Sequence, residues 1–344
     1  MESNLEKSED KWFFPPLSGG MVQGLSQGKQ DLFKGSDNLG RESAQNCSDA
    51  AQDENTKVVV KYQLKNIDSK YFPARADYLS RLESAKSSFE NVQGLTGDEV
   101  NRLRNYIKLL NQPSIPALII SDFNTTGLDG KEDEKGGRYY SFVKATGISS
   151  DQGATAGSYG HGKNALMNFS DLRVITAYSQ FQSSEESQSL NKLFVGISTL
   201  CTHLDPVFKE ETQDTGFFCV KSKDSTNWSA YRGEETQQIP IPLEREKNGT
   251  DLYVWGFDRE DWDVKLAMGL TYAFFQAILE DKIEFQIFDE EKLIHSITKL
   301  NIKDHVNSLK NDCFDKGLDS EWNKDMIKVE GYLKCYESNN NLIK

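Results

Sequence analysis

RESAQNCSDA (residues 41–50) sets Glu42, Asn46 and Asp49 at positions i, i+4 and i+7. On a helix of about 3.6 residues per turn these three polar side chains fall on one line. Ala44, Cys47, Ala50 and Ala51 are small and suited to lie against a sheet. An exposed polar stripe has the same spacing, so the stretch decides nothing alone; its surroundings do. Ser36 or Asp37 can cap a helix that runs to about residue 53. KVVVKYQL (57–64) is a β-branched run and reads as a strand. Two helical stretches follow, about 74–92 and about 98–110, the second opening at a Thr-Gly-Asp cap signal. PSIPALIISD (113–122) reads as a short buried strand that ends in Asp122.

A long polar segment comes next, a length of connection characteristic of a functional lid or an insert. It closes on GSYGHGKNA (157–165), which is nearly a P-loop: glycine, four residues, glycine, lysine. A P-loop needs Ser or Thr after the lysine to ligate Mg²⁺, and here Asn164 follows Lys163. It also leaves a buried strand, whereas KATGISSDQGATA is a loop. The P-loop reading fails on both points.

Residues 164–169 should start a helix, and LRVITAYS, KLFVGIST, GFFCVKS and TDLYVWGF read as strands of an antiparallel sheet. LAMGLTYAFFQAILEDK is an amphipathic helix, and IEFQIFDEEKLI a hairpin that opens a further module. The fold class expected is α/β (α+β), a two-layer sandwich of helices on one face of a mostly antiparallel mixed sheet. The division expected is an arm over 1–35, a main domain over 36–260 with a lid at about 128–162, and a helix-plus-hairpin module over 261–344. In the arm, WFFPPLSGG reads either as a segment that packs on another surface, including a partner's, or as a tail.

The 344 residues are 37% hydrophobic and 11% aromatic, enough for a sizeable core. A net charge of −13 disfavours nonspecific binding to nucleic acid or anionic membrane, although a local basic patch is compatible with it. Five scattered cysteines without CxxC read as reduced thiols in a cytoplasmic protein. No apolar run reaches membrane-span length, and no signal peptide opens the chain.

The order of the motifs resembles the GHKL superfamily of Bergerat-fold ATPases, which includes DNA gyrase B subunits, MutL, MORC proteins, histidine kinases and heat-shock-protein-ninety chaperones. The resemblance spans roughly residues 36–257. It implies ATP and Mg²⁺ as ligands. RESAQNCSDA resembles the family's N-box, which implies Glu42 as general base, Asn46 as the Mg²⁺ ligand and Asp49 near the adenine through waters. SDFNTTGL resembles the DxGxG motif, implying that Asp122 receives the adenine amino group and that Gly127 lets the backbone approach the base. Asn124 stands where the first glycine is usual, and Asn tolerates left-handed backbone angles. GSYGHGK resembles the second glycine motif, implying a phosphate cradle from Gly157 and the amides of Gly160, His161 and Gly162, with Lys163 adding charge. NGTDLYVWGF resembles the closing strand, placing Thr250 in the Asp122 network.

None of the four histidines precedes Asp122, which argues against a histidine kinase. The resemblance implies ATP hydrolysis with lid closure and homodimerisation, serving further domains or protein partners in DNA handling or antiviral defence. A nonhydrolysing nucleotide sensor is the alternative, and Glu42 argues for hydrolysis.

Overall fold

Successive residues of the central strands alternate between two separate apolar cores, because side chains of a strand point to opposite faces. The computed structural model describes residues 11–19, 22–25, 36–90, 97–144, 166–182, 190–221 and 228–342. Its strands are β1 (Trp12–Phe13), β2 (Val58–Asp68), β3 (Ser114–Phe123), β4 (Val174–Gln182), β5 (Leu190–Thr199) and β6 (Thr215–Phe218). They continue with β7 (Val220–Lys221), β8 (Trp228–Ser229), β9 (Tyr231–Arg232), β10 (Gly249–Trp255), β11 (Ile283–Asp289) and β12 (Lys292–Ile297). Ten of them form one sheet in the order β1-β6-β5-β4-β10-β3-β2-β11-β12, with β9 beside β5, while β7 and β8 pair separately. Its pairings are antiparallel except for β11 on β2. The fold class is therefore the expected one: helices packed on a mostly antiparallel mixed sheet.

On one face, Leu118 and Ile120 of β3 and Val254 of β10 join Leu39 and Ala44 of α1 (Ser36–Asp49). On the other, Ile115, Ala117 and Ile119 of β3 meet Tyr78 and Leu82 of α2 (Arg75–Glu90) and Leu103 of α3 (Gly97–Leu110). This second helical layer is an addition to the sandwich read from the sequence, which had helices on one face only. A short α4 (Arg138–Val143) falls within the stretch expected to be the lid.

The helix and hairpin after Phe257, read as the opening of a further module, extend the same sheet. β11 runs parallel to β2 from the Ile283↔Val58 pair to Asp289↔Leu64. The preceding helix, α5 (Trp262–Leu279), packs on α1 and puts Leu266 and Leu270 into the same core. Two helices absent from the sequence reading, α6 (Ile302–Asp315) and α7 (Ile327–Leu342), pack against α5.

The WFFPP segment stays with its own chain. β1 pairs with β6, and the Trp12 indole, 1% exposed, sits among Phe72, Tyr78 and Phe218. Its Nε1 donates to Pro73 O at 3.0 Å. Part of the expected arm is thus a strand of the main sheet in this chain.

Two buried histidines make stability depend on pH. His203 packs edge-on against Phe14, and burial lowers its pKa to about 4. Burial, with His295 beside it, lowers that of His305 to about 4 as well. Both folded values lie below the unfolded value of about 6.5, so between pH 6.5 and 4 the unfolded chain binds the protons first. Stability should fall across that window, by roughly 2 kcal/mol per histidine at pH 5 relative to pH 7. Urea unfolding at the two pH values tests this, and a His203→Phe/His305→Leu double variant should lose most of the difference.

Candidate functional site

The buried Asp122 side chain closes β3 and is fixed by neighbours from three parts of the chain. Its Oδ1 accepts the Thr250 amide at 2.9 Å and the Thr125 hydroxyl. Its Oδ2 faces the Cys47 thiol of α1 at 3.7 Å. Burial pushes the Asp122 carboxyl pKa up, opposed by the Thr125 hydroxyl, the Arg245 charge and the Thr250 amide. Burial, together with the Asp122 charge, raises the Cys47 thiol well above its usual value, so Cys47 is a neutral, weak donor. One oxygen of Asp122 is therefore saturated and the other retains accepting capacity.

Arg245 ties this strand end together. Its Nε and Nη2 form a fork on Asp251 at 3.0 and 2.8 Å. Nη2 also reaches Asp122 O at 2.7 Å and Thr250 O at 3.0 Å. Gly249 is squeezed into the same knot at φ +134°, where an added Cβ would lie 2.2 Å from Asp122 O. Only glycine fits, which is the physical reason for the Gly-Thr pair that opens β10.

The turn after Asp122 is pinned to the end of α1. Asn124 takes φ +64°, the left-handed conformation in which asparagine replaces glycine at least cost. Its Nδ2 donates to Lys57 O at 2.8 Å, while its carbonyl accepts from Gln52 N at 3.1 Å. Thr126 N donates to Ala50 O at 2.8 Å. Gly127 follows at φ +72°, and a Cβ there would sit 2.8 Å from Ser179 Oγ and 2.9 Å from Gln180 O. Ser179 links the two strand ends: its Oγ accepts from Leu128 N at 2.8 Å, donates to Gly249 O at 3.0 Å and meets Thr250 Oγ1 at 3.0 Å.

These bonds dock the end of α1 beside Asp122. Ser43, hydrogen-bonded to Leu39 O at 2.7 Å and to the Tyr62 hydroxyl at 2.8 Å, turns one side of the helix to β2. A line roughly a quarter-turn around the helix carries Glu42, Asn46 and Asp49. Glu42 is half-buried, and its Oε2 is shielded from solvent without a hydrogen-bond partner. Asn46 is exposed. Partial burial raises the Asp49 carboxyl pKa, with the Arg138 charge opposing. Asp49 O accepts from the Arg138 guanidinium of α4 at 2.9 Å, which links α4 to the helix.

The structure thus brings together Asp122, Asn124, Gly127 and Thr250 and docks beside them the end of α1, the helix that carries Glu42, Asn46 and Asp49. Gly157, Gly160, His161, Gly162 and Lys163 lie outside the described residues. Arg245, Thr125 and Ser179 were missed by the sequence reading. Thr125 carried a signal, standing beside the expected adenine aspartate, but Arg245 and Ser179 act through partners that only the fold selects. Among the described residues no group of three or more His, Cys, Asp or Glu side chains could hold a metal ion, and no helix is long and apolar enough to cross a membrane. The chain matches no protein-family model, and no curated protein matches its sequence.

Proposed function

We propose that this protein binds ATP with Mg²⁺ at the α1–Asp122 site and hydrolyses it to ADP and phosphate, as a GHKL-type ATPase. The observation that carries the reading is the docking of α1 beside a buried aspartate whose Oδ1 takes two strong donors while its Oδ2 takes only the weak Cys47 thiol. A carboxylate in that state is a fixed acceptor for an exocyclic amino group, the recognition element of adenine. Thr250 and Ser179 supply further polar atoms beside it, and Gly127 lets the turn after Asp122 pack against Ser179 and Gln180.

The polar line of α1 fits the phosphate end. A shielded carboxylate oxygen without a donor is costly unless a ligand or water completes it, and Glu42 Oε2 is such an atom. Bound Mg²⁺ supplies positive charge against the phosphate oxygens. Asn46 would hold it through its amide oxygen, a hard ligand that leaves most of the sphere to phosphate and water. Glu42, one turn away, would orient a water and accept its proton. Asp49 would bond toward the base through water. ATP binding closes the lid and drives homodimerisation, and the state so formed acts on further domains or partners.

Asp122→Asn tests the base-recognition half. The amide substitutes a donor for one acceptor oxygen, so ATP affinity by titration calorimetry should fall about 10- to 100-fold in a folded variant. Equal affinity in wild type and variant would remove Asp122 from the site. A folded wild type that does not bind millimolar ATP with Mg²⁺ would remove the proposal.

A further inference from the structure

At the other end of β10, about 20 Å of strand from Thr250, lies a cavity of about 1110 Å³ between α3, the turn 168–173, the start of α5 and residues 321–326. Six Lys or Arg side chains and four carboxylates line it, a positive balance in a chain of net charge −13. One of those carboxylates, Asp171, is engaged by Arg259 at 2.9 Å. Tyr106, Phe169 and Met268 give the same cavity an apolar floor.

Arg173 is the unusual member. It is 4% exposed, and its backbone takes φ +57°, a conformation costly for a residue of this kind. Among the described residues no carboxylate forms an ion pair with its guanidinium. Its donors reach only neutral oxygens, and at long range: Met167 O at 3.3 Å, Asn168 Oδ1 at 3.4 Å and Thr199 O at 3.4 Å. Buried charges in proteins are ordinarily paired, because an unpaired one forfeits its hydration without compensation. A guanidinium held in a strained backbone and lining a cavity, ion-paired to no carboxylate among the described residues and with the nearby Asp171 engaged by Arg259, is poised for an anion from outside. Arg102 on α3 and Lys265 on α5 face the same space and can share that anion.

We infer that this cavity is a second ligand site, separate from the α1–Asp122 site, for a small phosphorylated molecule with an apolar or aromatic body. Arg173 and Arg102 take the phosphate, with Lys265 neutralising the remaining charge, since guanidinium forks match phosphate oxygens. Tyr106 and Phe169 take the body.

The experiment titrates 1-naphthyl phosphate into the full chain. Saturable binding is expected, weakened about tenfold in Arg102→Gln and further in Arg102→Gln/Lys265→Gln, both of which alter surface-reaching side chains. Arg173→Gln should weaken it at least as much; Arg173→Lys should recover part of the loss, and the Arg102 variant covers the case in which Arg173→Gln does not fold. Asp122→Asn should leave naphthyl phosphate binding unchanged and Arg102→Gln should leave ATP binding unchanged, so this inference and the ATP reading fail separately. Absence of binding at millimolar probe, equal binding by the Arg102 and Arg173 variants, or equal binding of uncharged 1-naphthalenemethanol would overturn it.

Discussion

Glu42→Ala should still bind ATP within a few-fold of wild type, yet release phosphate about 10²- to 10⁴-fold more slowly. The side chain belongs to the polar line of α1 and not to the clamp around Asp122, so its removal leaves base recognition intact. What is lost is an oriented acceptor for the proton of the attacking water, whose effect is confined to the transition state. Mg²⁺-dependent phosphate release measured beside equilibrium binding separates the two effects. If both proteins bind ATP and neither turns over, the nucleotide is an ordering ligand rather than a fuel. If the variant turns over as fast as wild type, Glu42 is not the base.

Arg245→Met should destabilise the fold by about 3–5 kcal/mol, the range for breaking a buried pair from one side. Both partners are almost fully enclosed, at 2% and 6% side-chain exposure. Truncation leaves Asp251 charged and unpaired, and it strips a donor from the carbonyls of Asp122 and Thr250. Urea midpoints at constant slope report the loss. An Arg245→Met/Asp251→Leu double variant should recover much of it, because the cost resides in the orphaned carboxylate rather than in the absent guanidinium. Nucleotide affinity is the second readout, since the same guanidinium sets the spacing of the β3 and β10 ends.

What the sequence disclosed divides along a physical line. Asp122, Gly127, Asn124 and the Gly249–Thr250 pair were picked out by the resemblance of their motifs and the order of those motifs, and the structure gives three of them a backbone reason: left-handed turns at Asn124 and Gly127, and no room for Cβ at Gly249. The line of Glu42, Asn46 and Asp49 was legible through helical periodicity. Arg245 was not, because a guanidinium in a polar loop has no local signature and its partners are chosen by tertiary approach. The burial of Trp12 likewise depends on Phe72, Tyr78 and Phe218, none of them near it in sequence. The hairpin after α5 was read correctly as a hairpin but placed in a further module, since a parallel pairing with a strand more than 200 residues earlier leaves no trace in either strand.

That parallel pairing, with α5 lying on α1, bears on when the site comes into being. The helix carrying Glu42 is made early, but the surface it rests on is made some 220 residues later. Loop closure over such a span is slow and uncompensated until the late strands arrive. A nascent chain therefore holds its polar helix line without a seat until translation has passed α5 and β11. On the proposed reading, nucleotide would find no finished pocket on a half-made protein, and competence to bind it would report completion of the chain through residue 289.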